Sequence, residues 1–176
     1  VELGRREADI AIRLFRAGNR PPDSLIGRKI SRMTVSAYVH RDLLNPENPE
    51  DVSHLNWIGL GVGLQDQPWR TLCKNGDLPV KHAITDLNLQ VESVLNKMGM
   101  MFAPCAVFRD LPEVVRVPGE DTHYFFDLWV VTHKDLRLSA RMRMLREILA
   151  EELMTLRPYF DSEHSGQGEG VDERVA

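Results

Sequence analysis

The sequence predicts an α/β fold in two lobes, and three observations carry that reading. Short apolar runs of strand length alternate with helical stretches, the pattern of a mainly parallel sheet flanked by helices. Two long extended segments, Leu25 to His40 and Tyr124 to Thr132, point to lobes that share one cleft. With 176 residues and 43% apolar content the chain can bury one good core, or two small ones, without metal or disulfide.

The stretch Glu7 to Arg13, Glu-Ala-Asp-Ile-Ala-Ile-Arg, passes from an acidic turn through an apolar run to one arginine. It reads as a buried strand that ends at a charged rim. Ligands of open α/β sheets collect at such carboxyl ends, which places Arg13 on the lip of a cleft with Leu14 beside it. Arg16-Ala-Gly18-Asn-Arg-Pro21-Pro22-Asp23 is a breaker cluster and belongs in a surface loop. From Leu25 to His40, Ile26, Ile30, Val35, Ala37 and Val39 are apolar, while Arg28, Lys29 and Arg32 fall mostly on the other side of one long extended segment.

Asp42 to Pro46 closes a short helical turn, and Pro49 to Leu55 opens another with Pro and acids in its first turn. A strand follows over Asn56 to Leu60. Gly59-Leu-Gly61-Val-Gly63 has its third glycine one position early for a dinucleotide loop, and no helix follows before Pro68, so a close backbone approach or a sharp bend explains the glycines. Trp69 to Lys74 and Val80 to Thr85 read as strands separated by a hairpin-type reversal at Asn75-Gly76. Asp86 has the character of an N-cap, Leu87, Val91, Leu95 and Met98 recur at helical spacing, and Gly99 closes the helix.

Met100 to Pro104 is a buried strand followed by a loop and a turn up to Asp110. Glu113 to Val117 is a short strand and Pro118-Gly119 a turn. Ser139 should cap a last helix with Met142, Leu145, Leu149, Leu153 and Leu156 as its apolar stripe, stopped by Pro158. Residues 161–176 are Gly, Ser and acid rich and read as a disordered acidic tail.

Five acids against one base in that tail equal the whole formal net charge of −4, so the rest of the chain is close to neutral. Such a body offers no electrostatic footprint for a polyanion, and it should not hold DNA by itself. No apolar run reaches the roughly 20 residues of a membrane span. The opening Val1-Glu-Leu-Gly-Arg-Arg-Glu lacks the features of a secretory signal and reads as the interior of a larger protein.

Two cysteines, Cys73 and Cys105, fit neither a disulfide framework nor a zinc site and suit a reducing cytosol. The six histidines lack a context that pairs any of them with a nucleophile, and His123 and His133 sit at opposite ends of one strand, too far apart to share an ion. Glu7 and Asp9 read as a solvated turn rather than an acid–base pair. No enzyme, no metal and no cofactor is expected.

Three stretches in this order resemble the effector-binding domain of LysR-type transcriptional regulators. They are Ala8-Asp9-Ile-Ala-Ile-Arg13, the helix, glycine, strand and proline run ending Gly99 to Pro104, and Leu128-Trp129-Val-Val-Thr-His133 through Leu138-Ser139-Ala-Arg141. The resemblance covers about residues 1–157 and implies a two-lobed type 2 periplasmic-binding-protein-like fold with two crossover strands. Residues 1–33 and 131–160 would form a first lobe that lacks its opening elements, and 34–130 the second, with the crossing near Met33 and Thr34. Cys105 beside Pro104 invites comparison with peroxide-sensing members of that family, although a small buried apolar residue is the preferred reading.

The same resemblance assigns the cleft. Arg13 and Leu14 would face the helix start at Asp86, Leu87 and Asn88, with Ile58, Gly59 and Leu60 and with Ala103 and Pro104 at the strand ends. The carboxylate of Asp86 competes for the helix amides and favours a neutral or zwitterionic small-molecule effector over an anion. It further implies a cytoplasmic homodimer or homotetramer that reaches DNA only through an absent helix-turn-helix domain, with no membrane. A periplasmic-type solute receptor is the alternative, and a small-molecule enzyme using the same cleft a third reading.

Overall fold

The computed structural model describes residues 8–61 and 69–161. Glu7, Gly63 and the predicted tail beyond Asp161 fall outside the described residues. Among the latter, one sheet holds seven strands: β1 (Ile10–Arg16), β2 (Leu25–His40), β3 (Trp57–Leu60), β4 (Val80–Ile84), β5 (Met100–Pro104), β6 (Val114–Arg116) and β7 (His123–His133). The helices are α1 (Leu87–Leu95), α2 (Ala140–Thr155) and the single turn α3 (Arg157–Phe160).

The sheet runs β1-β7-β2-β5-β3-β4, with β6 also on β2. β5, β3 and β4 are parallel, while β1–β7, β7–β2, β2–β5 and β2–β6 are antiparallel. The mainly parallel sheet expected from alternation is therefore mixed. Its cause is the pair of long strands, which run opposite to each other and impose antiparallel pairing on their neighbours.

β2 is the element the rest is hung on. Its first half pairs with β7 from Leu25↔His133 to Val35↔His123, and its second half pairs with β5 from Val35↔Pro104 to Tyr38↔Met101. The ladder shifts register between Lys29 and Ser31 and again between Met33 and Thr34. Met33 lies opposite Phe126 and Thr34 opposite Tyr124.

Side chains alternate across a strand, so one strand feeds several cores. Ile30 and Met33 pack with Leu128, Val130 and Ala150 of α2. Ala37 and Val39 join Trp57, Trp69, Met100 and Val117. On the opposite face Tyr38 joins Ile58, Met101, Ala103 and Val94 of α1.

Several predicted elements change in the fold. Trp69 to Lys74 is no strand: a 3-10 turn over Arg70–Leu72 forms instead, and Arg70 Nε donates to the Gly76 carbonyl at 2.6 Å. β4 consequently pairs parallel with β3 and makes no hairpin. Pro49 to Leu55 is turn rather than helix, closed by Asp51 Oδ1, which accepts from Ser53 N at 3.1 Å.

Helix α1 ends at Leu95, and the left-handed residue that follows it is Lys97 (φ 61°), so Met98 lies outside the helix. Gly99 (φ 155°) serves a different need, because a Cβ there would meet the Asn56 carbonyl oxygen at 2.5 Å. Ser139 does cap α2, its Oγ accepting from Met142 N at 3.4 Å. Of the predicted stripe of α2, Met142 is buried and Leu149 and Leu153 pack on the core that holds Ala150, whereas Leu145 and Leu156 are 41% and 42% exposed. Pro158 breaks α2 as expected but then occupies the first turn of α3, where its missing N–H costs nothing.

Candidate functional site

The second-lobe half of the site is made by strand ends. Leu60 pairs with Ile84 and Ile58 with Met101, so β3, β4 and β5 finish at one level, at Leu60, Ile84 and Ala103–Pro104. Beyond β3, Gly61 presses on the chain leaving β4, since a Cβ there would lie 2.0 Å from the Thr85 side chain. Close backbone approach, and no phosphate, accounts for that glycine.

Asp86 then caps α1, its Oδ1 accepting from Leu89 N at 3.0 Å. Buried Gln90 ties the helix to the strands, with Nε2 donating to the Ile84 carbonyl at 2.6 Å and the Gly59 carbonyl at 3.4 Å. Leu60, Asp86, Leu87 and Asn88 thus come together at the strand ends. Ile58 and Ala103, 2% and 1% exposed, are packed in the core with Val94 of α1.

The cap is locally testable. Asp86→Ala is expected to lose about 1 kcal/mol of stability in urea unfolding, whereas Asp86→Asn keeps the acceptor and most of the stability.

On the first-lobe side the strand does not end at Arg13. All seven residues of β1 pair with β7, Arg13 opposite Trp129 and Arg16 opposite Phe126. Trp129 in turn pairs with Lys29 and Phe126 with Met33, while Val35 pairs with Pro104. Along β2 the Arg13 row is therefore roughly 20 Å from the Pro104 row, and the Arg16 row only about 7 Å from it.

The strand thus ends at Arg16 and not at Arg13, and Leu14 sits mid-strand, 41% exposed. The signal was present in Leu14-Phe15, which continues the strand pattern beyond Arg13. The Arg16 guanidinium lies 4.2 Å over the Phe125 ring. Phe125 is 6.0 Å from Phe102, and Phe102 stacks on Trp69 at 5.7 Å, so an aromatic row leads from the end of β1 into the second lobe.

His123 was not singled out in the sequence. It pairs with Val35 in the same row as Pro104, and its Nε2 is buried without a hydrogen-bond partner. Buried polar atoms are normally satisfied, so one at the junction of the lobes stands out. Its sequence context, the first residue of an apolar strand, carries no signal for this.

Next to the junction lies a charged cluster. Asp127, 2% exposed, accepts from Lys29 Nζ, from the Tyr124 hydroxyl and from Gly18 N at 3.3 Å. Burial works to raise the Asp127 carboxyl, but these hydrogen bonds and the Lys29 charge outweigh it and hold its pKa below the usual carboxylate range. Gly18, at φ 81°, makes the turn that brings its amide there.

Neither cysteine has the surroundings of a reactive thiol. Burial, aided by the Glu120 charge, pushes Cys73 up to about 12, and Cys105 is 7% exposed in the turn after β5. His40 and His54 are hydrogen-bonded locally, to Asp42 N at 3.2 Å and to the Leu43 carbonyl at 3.1 Å. Among the described residues no three His, Cys, Asp or Glu side chains are grouped to hold a metal ion.

A mixed sheet of this order, flanked by helices and spanned by two long strands, defines an α/β protein of the type 2 periplasmic-binding-like class. Within that class the chain belongs to the LysR substrate binding domain family, which matches residues 1–154. It is therefore an effector-binding domain of the LysR type. No curated protein matches it.

Solved structures agree on the fold. The regulatory domain of CrgA from Neisseria meningitidis is similar with a TM-score of 0.67 at 17% identity, over 86% of this chain and 78% of that one. The longer CrgA structure is covered over only 54% of its length. The effector domain of AmpR from Pseudomonas aeruginosa gives 0.68 at 16% identity, over 89% and 77%. The regulatory domain of OxyR2 (C206S mutant) from Vibrio vulnificus gives 0.57 at 19%, over 88% and 74%. No helix among the described residues is long and apolar enough to cross a membrane.

Proposed function

We propose that this chain is the sensing and oligomerisation part of a LysR-type DNA-binding transcriptional regulator in the cytoplasm, binding a small metabolite between two lobes. The lobes meet at Thr34 on β2 and near Tyr124 on β7. The carrying observation is the row of Pro104, Val35 and His123, with the unpartnered His123 Nε2 in it, Arg16 on one side and the strand ends before α1 on the other. These groups offer hydrogen bonds, a cation and an apolar floor of Phe102 and Phe125, a combination for binding rather than chemistry.

The Asp86 carboxylate already occupies the Leu89 amide, which disfavours a purely anionic effector at the helix start and favours a neutral or zwitterionic one. The proposed contact set is Leu60, Asp86, Leu87, Asn88 and Pro104 with Gly59 behind them; Arg13 and Leu14, on a strand that continues past them, and Ile58 and Ala103, buried in the core, are left out of it. An effector that binds one lobe arrangement better shifts the population of the whole regulator. Dimeric or tetrameric assembly would run through this domain, whereas DNA contact would belong to a helix-turn-helix domain outside these 176 residues.

The test is DNA binding by the full-length regulator with and without candidate metabolites. A metabolite should change operator affinity, and His123→Phe should weaken the response to it by about tenfold, the worth of one hydrogen bond, while leaving DNA binding itself intact. A regulator with no operator, or with one indifferent to every metabolite tried, would overturn the reading.

A further inference from the structure

We infer that the domain has a second small-molecule site under its C-terminal helical turn, which takes a small monocarboxylate carrying a hydroxyl donor and reports to the hinge. A hollow of about 560 Å³ lies between Lys29–Arg32 of β2 and Arg157, Pro158 and Asp161. It opens at the irregularity in β2 between Lys29 and Ser31, where the strand departs from regular pairing with β7. A regular ladder would not leave the Ile30 carbonyl turned toward α3, where it accepts from Arg157 Nε at 2.6 Å.

Its chemistry is specific. Lys29, Arg32 and Arg157 bring three positive charges against Asp161 in the hollow and Asp127 beside it, which leaves one positive charge over. Arg157 spends only Nε on the Ile30 carbonyl, and Arg32 stacks over the Tyr124 ring at 5.1 Å. Guanidinium groups held in this way suit a carboxylate. Asp161 Oδ1 is buried without a hydrogen-bond partner, so the hollow also lacks one donor. A single-charged carboxylate with a hydroxyl group answers both needs, and a plain carboxylate answers one.

The position of α3 explains why occupancy should matter. Arg109, from the turn after β5 in the second lobe, donates to the Pro158 carbonyl at 2.7 Å and lies 4.0 Å over the Tyr159 ring. Thr34, at the register break of β2, donates to the Phe160 carbonyl at 3.5 Å. α3 is thus fastened to the hinge and to the far lobe by separate contacts, and a ligand beneath it acts on both. This site lies on β2 and α3, apart from the His123 row and the start of α1, and does not depend on what binds there.

Two-dimensional NMR of the 176-residue chain, titrated with lactate and with propionate, tests it. Lactate should move the signals of Ile30 to Arg32 and Arg157 to Asp161 and bind more tightly than propionate. Arg157→Met and Arg32→Met should each weaken lactate by about tenfold, the worth of one charge-assisted hydrogen bond. Arg32 is exposed, so its variant folds even if loss of the Arg157 brace does not allow it. Asp161→Leu should abolish the preference for lactate over propionate, and Arg109→Ala should stop lactate from moving the 105–109 signals. The inference is overturned if lactate at tens of millimolar leaves the signals around the hollow in place, if both arginine variants bind it like the parent, or if it moves only Leu60 and Asp86 to Asn88. His123→Phe should leave lactate binding unchanged, which separates failure here from failure of the cleft.

Discussion

Trp57→Ala is expected to cost about 3–5 kcal/mol, a large part of the roughly 5–15 kcal/mol that holds a domain folded. Trp57 is completely buried, its ring 4.4 Å from that of Trp69, and its Nε1 donates to the Asn75 carbonyl at 2.9 Å. Truncation removes the largest side chain of the core between β3 and β2, and it leaves the Asn75 carbonyl without its donor. Urea unfolding followed by far-UV circular dichroism should show the midpoint fall by about 2 M, the loss divided by a slope of roughly 2 kcal/mol per molar urea. Trp57→Phe keeps most of the volume, loses the hydrogen bond, and should cost about 1–2 kcal/mol. Equal midpoints for the parent and the alanine variant would show that this core does not carry the fold.

Asp127→Ala should cost about 2–3 kcal/mol, because it removes charge-assisted hydrogen bonds and strips the Gly18 amide and the Tyr124 hydroxyl of their acceptor. Lys29 is 42% exposed in its side chain, so water recovers part of the loss on that side. The cluster also has a pH signature. The carboxyl is held lower in the folded chain than in the unfolded one, where it titrates near 3.9, so its contribution is complete above about pH 4 and fades as acid takes the pH down through the folded value. Lys29 is raised, with burial opposing and the Asp127 and Tyr124 hydrogen bonds prevailing, so its share fades only as pH climbs through its folded value in strong alkali. Asp127→Asn should therefore flatten the acid limb of a stability curve and leave its neutral plateau lower. An unchanged acid limb would remove the carboxylate from the account.

What could be read before folding, and what could not, follows from range. Local signals served well: the extent of β2, the Asp86 and Ser139 caps, and the strand Met100–Pro104 all lie where residue order puts them. Signals that depend on a distant partner did not. Asn75-Gly76 looks like a hairpin turn, but Arg70 folds back on Gly76, and β4 finds β3 as a parallel neighbour. Arg13 looks like a strand end because it is charged, yet β7 supplies pairing for three residues more. The apolar stripe of α2 holds at Met142, Leu149 and Leu153, but Leu145 and Leu156 stay exposed and Ala150 is buried instead, because only contact with the sheet decides which flank of the stripe is covered. His123 could not be picked from the sequence, since an unsatisfied nitrogen exists only once other atoms fail to reach it.

A single uninterrupted backbone, β2, supplies side chains to all three apolar clusters, Ile30 to one, Ala37 to the next and Tyr38 to the third. Neither lobe can then melt alone without tearing that segment out of the other. The central amides of β2 should exchange with deuterium only as fast as the entire molecule opens, and a rearrangement of the lobes has to proceed by bending this one ribbon.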